Sequence, residues 1–216
     1  QYNVKHEEVR NILPGLPNGF ITKALIKNNL FVCYNGTILE YRINELPKLF
    51  YRGKSIRNVY SDGHLRVIST YSGVFSEKIV KNENFKFNGT KILPYSHGEF
   101  TKIGSHYYLC RDLNLYRYNE EKNKLEEYQN FQDLGEIRQL IEFGNNVFIV
   151  SLEGLALLDL KKKKASEPLV KGKITRAKKI GSELIVVTKT GTIYKVSEQF
   201  EIDKIQTNFS FEDVEI

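Results

Sequence analysis

GSELIVVTKTGTIYKV, residues 181–196, reads as two short strands joined by a turn. Leu184 to Val187 is a continuous apolar run, the pattern of a strand buried on both faces. Thr188, Lys189 and Thr190 interrupt it, Gly191 follows, and Ile193, Tyr194 and Val196 resume the strand. The fold turns on whether this hairpin occurs once or is one copy of a repeat.

It is a copy. GNNVFIVSLEGLALLDL (144–160) has the same order of polar turn, apolar run, second turn, Gly154 and strand. NNLFVCYNGTILEYRI (28–43) repeats it with a shorter turn and Gly36, and DGHLRVISTYSGVFSEKI (62–79) with Gly73. GSHYYLCRDLNLYRYN (104–119) carries Asn114 where the glycine would stand. Asn tolerates positive φ, so the turn geometry is expected to be kept there. The turn positions Gly36, Gly73, Asn114, Gly154 and Gly191 are 37, 41, 40 and 37 residues apart.

Each copy also has an upstream strand, opening on Ile21, Ile56, Phe100, Ile137 and Ile174 in turn. Each has a more polar strand downstream: KLFY (48–51), FKF (85–87), LEEY (125–128), EPLV (167–170) and EIDKI (201–205). EIRQLIEFG (136–144) admits a helical reading, but its alignment with the other first strands makes it a strand. Four strands in about 40 residues, repeated, predict an all-β fold, a β-propeller of four-stranded blades. The repeats fall near 20–52, 53–95, 96–132, 133–170 and 171–205 of one domain spanning 1–216. Residues 1–19 and 206–216 either close a five-bladed ring or belong to a further blade of a six- or seven-bladed one.

Composition agrees with a globular β protein. Apolar residues make up 41% of the 216, and Tyr and Phe supply 13 each. The 32 Lys and Arg exceed the 26 Asp and Glu by six, spread along the chain, so an anionic partner is permitted while no specific nucleic-acid signal appears. The one dense run, Lys161 to Lys164, reads as a solvated hairpin tip. No apolar run approaches the ~18 residues of a membrane span. No signal peptide is seen, and a chain beginning at Gln1 reads as either a mature form or a part of a longer one. Cys33 and Cys110 sit inside apolar strands, where free thiols pack as small hydrophobes.

The third and fourth copies, LNLYRYNEEKNKLEEY (113–128) and EGLALLDLKKKKASEPL (153–169), resemble the blades of bacterial two-component-regulator propellers. LPGLPNGFITKAL (13–25) is similar to the segment before the first blade of that family. The resemblance implies a sensor module in the periplasm or outside the cell, the outer part of a membrane-bound signalling protein. WD-repeat proteins fit less well, for no Trp-Asp pair occurs. An intracellular scaffold subunit of a protein complex is the alternative.

No catalytic motif is present: no G-x-S-x-G elbow, phosphate-binding glycine loop, dinucleotide fingerprint or H-E-x-x-H. His6, His64, His97 and His106 occupy unrelated repeat positions and share no metal-ligand spacing. The sequence therefore predicts a non-catalytic binding module without cofactor or metal, and a propeller hydrolase or lyase is the least supported reading. One feature does recur. A basic residue stands near the start of each first strand: Lys23, Arg57, Lys102, Arg138 and Arg176. The turns between second and third strands carry Tyr71, Arg111 and Lys189, with Asp112 and Glu153, to the same end of the ring. A positive collar there would suit an anionic small ligand or polymer, or an acidic protein partner. The offset of the basic residue from its apolar anchor is two residues in three copies and one in two, so the five need not all point inward.

Overall fold

The computed structural model describes residues 2–3, 8–9, 21–26, 29–34, 37–41, 48–52, 56–70, 72–79, 87–94 and 99–206. Strands β1 (Tyr2–Asn3) and β2 (Glu8–Val9) pair only with each other. The first four-stranded sheet follows: β3 (Ile21–Ile26), β4 (Asn29–Tyr34), β5 (Thr37–Tyr41) and β6 (Lys48–Arg52). The second is β7 (Ile56–Ser61), β8 (Leu65–Thr70), β9 (Gly73–Lys78) and β10 (Thr90–Leu93). The third is β11 (Phe100–Ile103), β12 (His106–Arg111), β13 (Asn114–Asn119) and β14 (Lys124–Asn130). In the fourth, β15 (Ile137–Phe143), β16 (Asn146–Ser151) and β17 (Gly154–Asp159) precede a split outer strand, β18 (Lys164–Ala165) and β19 (Val170–Lys171). The fifth is β20 (Ile174–Ile180), β21 (Glu183–Thr188), β22 (Thr192–Val196) and β23 (Ile202–Gln206).

Every sheet is an antiparallel meander, and the first strand of each touches the first strand of the next, from β3 through β7, β11 and β15 to β20. This is the propeller-like, all-β architecture the repeat predicts, with the five opening residues Ile21, Ile56, Phe100, Ile137 and Ile174 each beginning a first strand. Within 136–144, Ile137–Phe143 form a strand, not a helix.

Packing between sheets follows from the second strands. In β12, Tyr107 and Leu109 enter the core shared with the second sheet, while Tyr108 and Cys110 enter the core shared with the fourth. In β16, Ile149 faces the third sheet, and Phe148 and Val150 face the fifth. Side chains alternate across a strand, so an uninterrupted apolar run serves two neighbours at once. Cys110 is a buried free thiol, as expected; the Cys33 side chain lies outside the described residues.

Polar contacts also join sheets two and three. Asp62, in the turn between β7 and β8, accepts the backbone N–H groups of His64 and Leu65 at 2.9 and 3.1 Å. Its other oxygen accepts the Lys102 ammonium at 3.1 Å and the Tyr107 hydroxyl at 2.8 Å. Burial pushes the Asp62 carboxyl up, but these four donors together outweigh burial and hold it well below the usual carboxylate range. Tyr60, Phe100, Tyr107 and Tyr118 pack ring against ring beside it, with centroids 5.2 to 6.3 Å apart.

Several details depart from the sequence reading. The outer strand of the second sheet is Thr90–Leu93 rather than residues 85–87; Phe87 instead buries its ring edge-on against Tyr51, and 85–86 lie outside the described residues. The outer strand of the fourth sheet is split, because Pro168 lies within it and has no N–H to donate. Gly73 and Gly154 each begin a third strand with φ of +148° and +147°. In the third sheet the left-handed residue is Asp112, with φ of +51°, and not Asn114. A two-residue turn can place its strained position at either end, and Asp adopts the left-handed region almost as readily as Asn.

A side chain at Gly154 would clash with the Val170 carbonyl oxygen, backbone that cannot swing aside. Gly154→Ala is expected to lower stability by about 2–4 kcal/mol, read as a fall in urea midpoint. Asp62 has a depressed folded-state pKa, so its stabilisation is present above the ordinary carboxylate pKa and lost as pH falls through the acid range. Asp62→Asn should therefore cost about 1–3 kcal/mol at neutral pH and flatten the acid limb of the melting-temperature profile.

Candidate functional site

The turns between second and third strands and the segments leading into the first strands lie at one end of the sheets. Backbone hydrogen bonds hold them together there. Ile137 N–H donates to the Asp112 carbonyl at 2.6 Å across two sheets, Leu152 to Glu136 at 3.0 Å, and Lys189 to Lys173 at 2.8 Å. The last residue of the second strand often caps the turn. The hydroxyls of Thr70, Ser151 and Thr188, all buried, donate to the carbonyls of Gly73, Gly154 and Thr192 at 2.9, 3.1 and 3.2 Å.

The basic residues predicted to line this end separate into different roles. Lys102 is not there. Phe100 pairs with Leu109, the fourth residue of its second strand, whereas Ile56, Ile137 and Ile174 each pair with the sixth. The third copy is thus anchored two residues late in the sequence alignment, and Lys102 sits opposite Tyr107 at the far end, bound to Asp62. Arg138 is at the expected end, but it donates to the Ile174 carbonyl at 3.1 Å and pairs with Glu136 at 3.7 Å. It is a strut between the fourth and fifth sheets. Arg111 pairs with Asp112 at 3.4 Å, and Lys189 is exposed in its turn. Arg176 is exposed and has no hydrogen bond or ion pair among the described residues. The side chains of Lys23 and Arg57, in β3 and β7, and the whole of Tyr71 lie outside the described residues.

The unequal offsets put the basic residues at different register positions. Register shifts by one residue at Ile56/Asn58, Ile137/Gln139 and Ile174/Arg176, so Arg57, Arg138 and Thr175 are bulged. After the bulge, Asn58, Gln139 and Arg176 all stand opposite the fifth residue of the second strand: Ser69, Val150 and Val187. Glu99 takes that place in the third sheet, its carbonyl accepting the Cys110 N–H at 3.1 Å. Thr22 takes it in the first, opposite Cys33. A polar residue therefore occupies one repeat position in all five sheets, on the first strand in four and just before it in the third, and the sequence spacing does not show it.

Glu99, Gln139 and Arg176 interact. The Gln139 side-chain amide donates to Glu99 Oε1 at 3.4 Å. Glu99 lies deep among protein atoms yet keeps partial access to solvent. Burial pushes its carboxyl up to about 7, against the opposing pulls of the Arg176 charge and the Gln139 hydrogen bond. Near neutral pH the acid is thus only partly ionised, and the Arg176 charge is left incompletely balanced. The chemistry on offer is a guanidinium, a carboxyl able to donate or accept, and an amide, from three consecutive sheets.

The opposite end offers a groove of about 700 Å³ lined by residues that include His106, Arg117, Glu120, Glu127 and Lys163. Its side chains are largely paired: Arg117 with His106 at 3.0 Å, and Lys122 with Glu126 at 2.9 Å. The Lys161–Lys164 run forms the turn into β18 on this side, Lys164 being that strand's first residue. Lys163 lies over the Tyr128 ring of the third sheet at 4.6 Å and Lys162 pairs with Asp159 at 3.4 Å, so the run also contacts protein and is not only solvated. His64 is an exposed turn residue, and His6 and His97 lie outside the described residues. No group of three metal-ligating side chains occurs among the described residues, and no helix there is long and apolar enough to cross a membrane.

No protein-family model and no curated protein matches the chain. Solved structures do. The extracellular domain of the putative one component system BT4673 from B. thetaiotaomicron aligns with 85% of this chain at 15% identity, with a TM-score of 0.65. That of the putative hybrid two component system BT3049 from the same organism aligns with 89% at 14% identity and 0.63. PorZ, a surface component of the type-IX secretion system of Porphyromonas gingivalis, aligns with 84% at 16% identity and 0.63. The chain spans 27%, 29% and 27% of these three proteins respectively. At such identities the likeness is one of fold, and at that level the resemblance to two-component sensor propellers holds.

A carboxyl whose folded-state pKa is raised stabilises the protein fully below its unfolded pKa and loses that contribution as pH rises through about 7. Stability should therefore decline between about pH 5 and pH 8 by about 1–3 kcal/mol. In Glu99→Gln that decline should vanish, which urea denaturation across the pH range would show.

Proposed function

We propose that the chain is a non-catalytic binding module, the sensing part of a bacterial signalling protein acting outside the cytoplasm. Its recognition end is the one bearing the turns between second and third strands. The observation that carries this reading is Arg176, an exposed guanidinium with no hydrogen bond or ion pair among the described residues and only a through-space interaction with the largely buried Glu99 carboxyl, at an end built from variable turns. An exposed cation at a channel mouth favours an anionic ligand or an acidic partner loop, because low-dielectric walls focus its field. The fold shared with extracellular portions of two signalling systems supports the sensor role. Catalysis would need a nucleophile, base or metal in mutual reach, and the interacting side chains Gln139, Arg176 and Glu99 are an amide, a guanidinium and a carboxyl.

Arg138 holds two sheets together, so Arg176 is the residue to change. Arg176→Glu should weaken binding of poly-L-glutamate about tenfold or more while leaving the melting temperature unchanged. Equal binding by wild type and variant, measured by calorimetry at low salt, would remove this end as the recognition surface.

A further inference from the structure

The fifth sheet repeats, on its far side, the residues by which the fourth sheet meets it. In the fourth sheet, Phe143, Phe148, Val150, Leu155 and Val170 help fill the core shared with the fifth. Phe143 pairs with the first residue of β16, and Phe148 and Val150 are the third and fifth residues of that strand. Leu155 stands opposite Val150, and Val170 opposite Leu155. The same steps in the fifth sheet lead to Ile180, Ile185, Val187, Ile193 and Ile205. All five are aliphatic.

These five face away from the fourth sheet. Ala177, Leu184, Val186 and Val196 enter the core with that sheet, and alternation turns their strand neighbours outward. Phe143 and Val170 are 1% and 2% exposed, whereas their equivalents Ile180 and Ile205 are 49% and 44% exposed. Val187, at the inner end, is buried, and Ile185 and Ile193 are half-buried. Exposed aliphatic side chains are ordinary when scattered. Five at the register of an intersheet core make a packing face, and its cover is missing at Ile180 and Ile205.

The matching half lies at the other end of the stack. In the first sheet, Ile38 and its cross-strand partner Tyr51 pack with the second sheet. Leu39 and its partner Leu49 therefore point the other way, where no four-stranded sheet precedes among the described residues. Leu49 is 43% exposed. Each described core between neighbouring sheets joins the far face of one to the near face of the next. The far face left over belongs to the fifth sheet and the near face left over to the first. Ile180, Ile205 and Leu49 are open in the same molecule, so the two faces do not cover each other there within one chain.

We propose that the far face of the fifth sheet docks the first sheet of a second copy of this chain, a head-to-tail contact that continues the stack from one molecule into the next. Such a contact is heterologous: its two halves differ, and a pair of molecules still has one of each free. On the fifth sheet Lys195 is already paired with Glu183 at 3.5 Å, which lowers the cost of covering it. Arg176 shares the face but stands at the register of Gln139, which stays half-exposed although its sheet is covered. Docking therefore leaves the recognition end open.

Sedimentation of the full chain from about 1 µM to about 500 µM tests the contact. The average mass of the wild type should climb with concentration past that of one chain. Ile180→Lys combined with Ile205→Lys should weaken association about tenfold or more, and so should Leu49→Lys at the opposite end of the stack. In dilute solution both variants should melt as the wild type does. An equimolar mixture of the two variants holds one intact face of each kind, and should form dimers and nothing larger. A wild type that stays single over this range would overturn the proposal; if both variants also melted earlier, the contact would lie inside one chain. Dimers that persist in Leu49→Lys would overturn it too, in favour of fifth sheet against fifth sheet. A mixture that fails to associate would sink the head-to-tail pairing.

Discussion

Each second strand is apolar on both faces, and this one constraint organises the molecule. A sheet with two apolar faces cannot stand alone in water. It must be covered on each side, and another sheet of the same kind is the nearest available cover. Tyr107 and Leu109 pointing one way and Tyr108 and Cys110 the other make the third sheet depend on both the second and the fourth. The same logic, strand by strand, turns five hairpin-rich repeats into a stack of radial sheets. The polar outer strands are the natural limit of that stack, since only one edge of each sheet meets water.

Stacking in this manner brings the first strands side by side and so creates an inner surface. What that surface carries depends on register at the single-residue level. The bulges after Ile56, Ile137 and Ile174 shift the following residue by one place and align Asn58, Gln139 and Arg176. The third sheet reaches the same level without a recorded shift, through Glu99 before its first strand. A glutamate beside a glutamine and an arginine is unremarkable in sequence. Brought together from three repeats, they become a buried acid whose charge is contested by burial on one side and a guanidinium on the other.

The two ends of the stack differ in how much their charges are already spoken for. At one end Asp62, Lys102 and Tyr107 satisfy one another, Lys163 lies on Tyr128, and Arg117 meets His106. The first two sets of contacts tie neighbouring sheets, the Arg117–His106 pair lies within the third, and together they leave little to offer a partner. At the other end Arg138 is similarly consumed as a strut, while Arg176 is not. Function, on this view, sits where the interblade bonding is incomplete.

The sequence by itself determined the number of described sheets, the order of their strands and the apolar residues that open them, because alternation and turn spacing are local properties of the chain. The stretch 181–196 is what the repeat makes it: the second and third strands of the fifth sheet, with Leu184, Val186 and Val187 buried. Sequence spacing also pointed to one end of the sheets as the place for a site. Which residues meet there was decided only by tertiary structure. A spacing rule counts residues from an apolar anchor, and neither a β-bulge nor a two-residue slip such as that at Phe100 leaves a mark in composition. So Lys102, counted into the collar, crosses to the far end, and Glu99, which no count selected, takes the register position shared with Gln139 and Arg176. A one-residue change in register reverses the face of every side chain after it, and register is fixed by pairing with strands far along the chain.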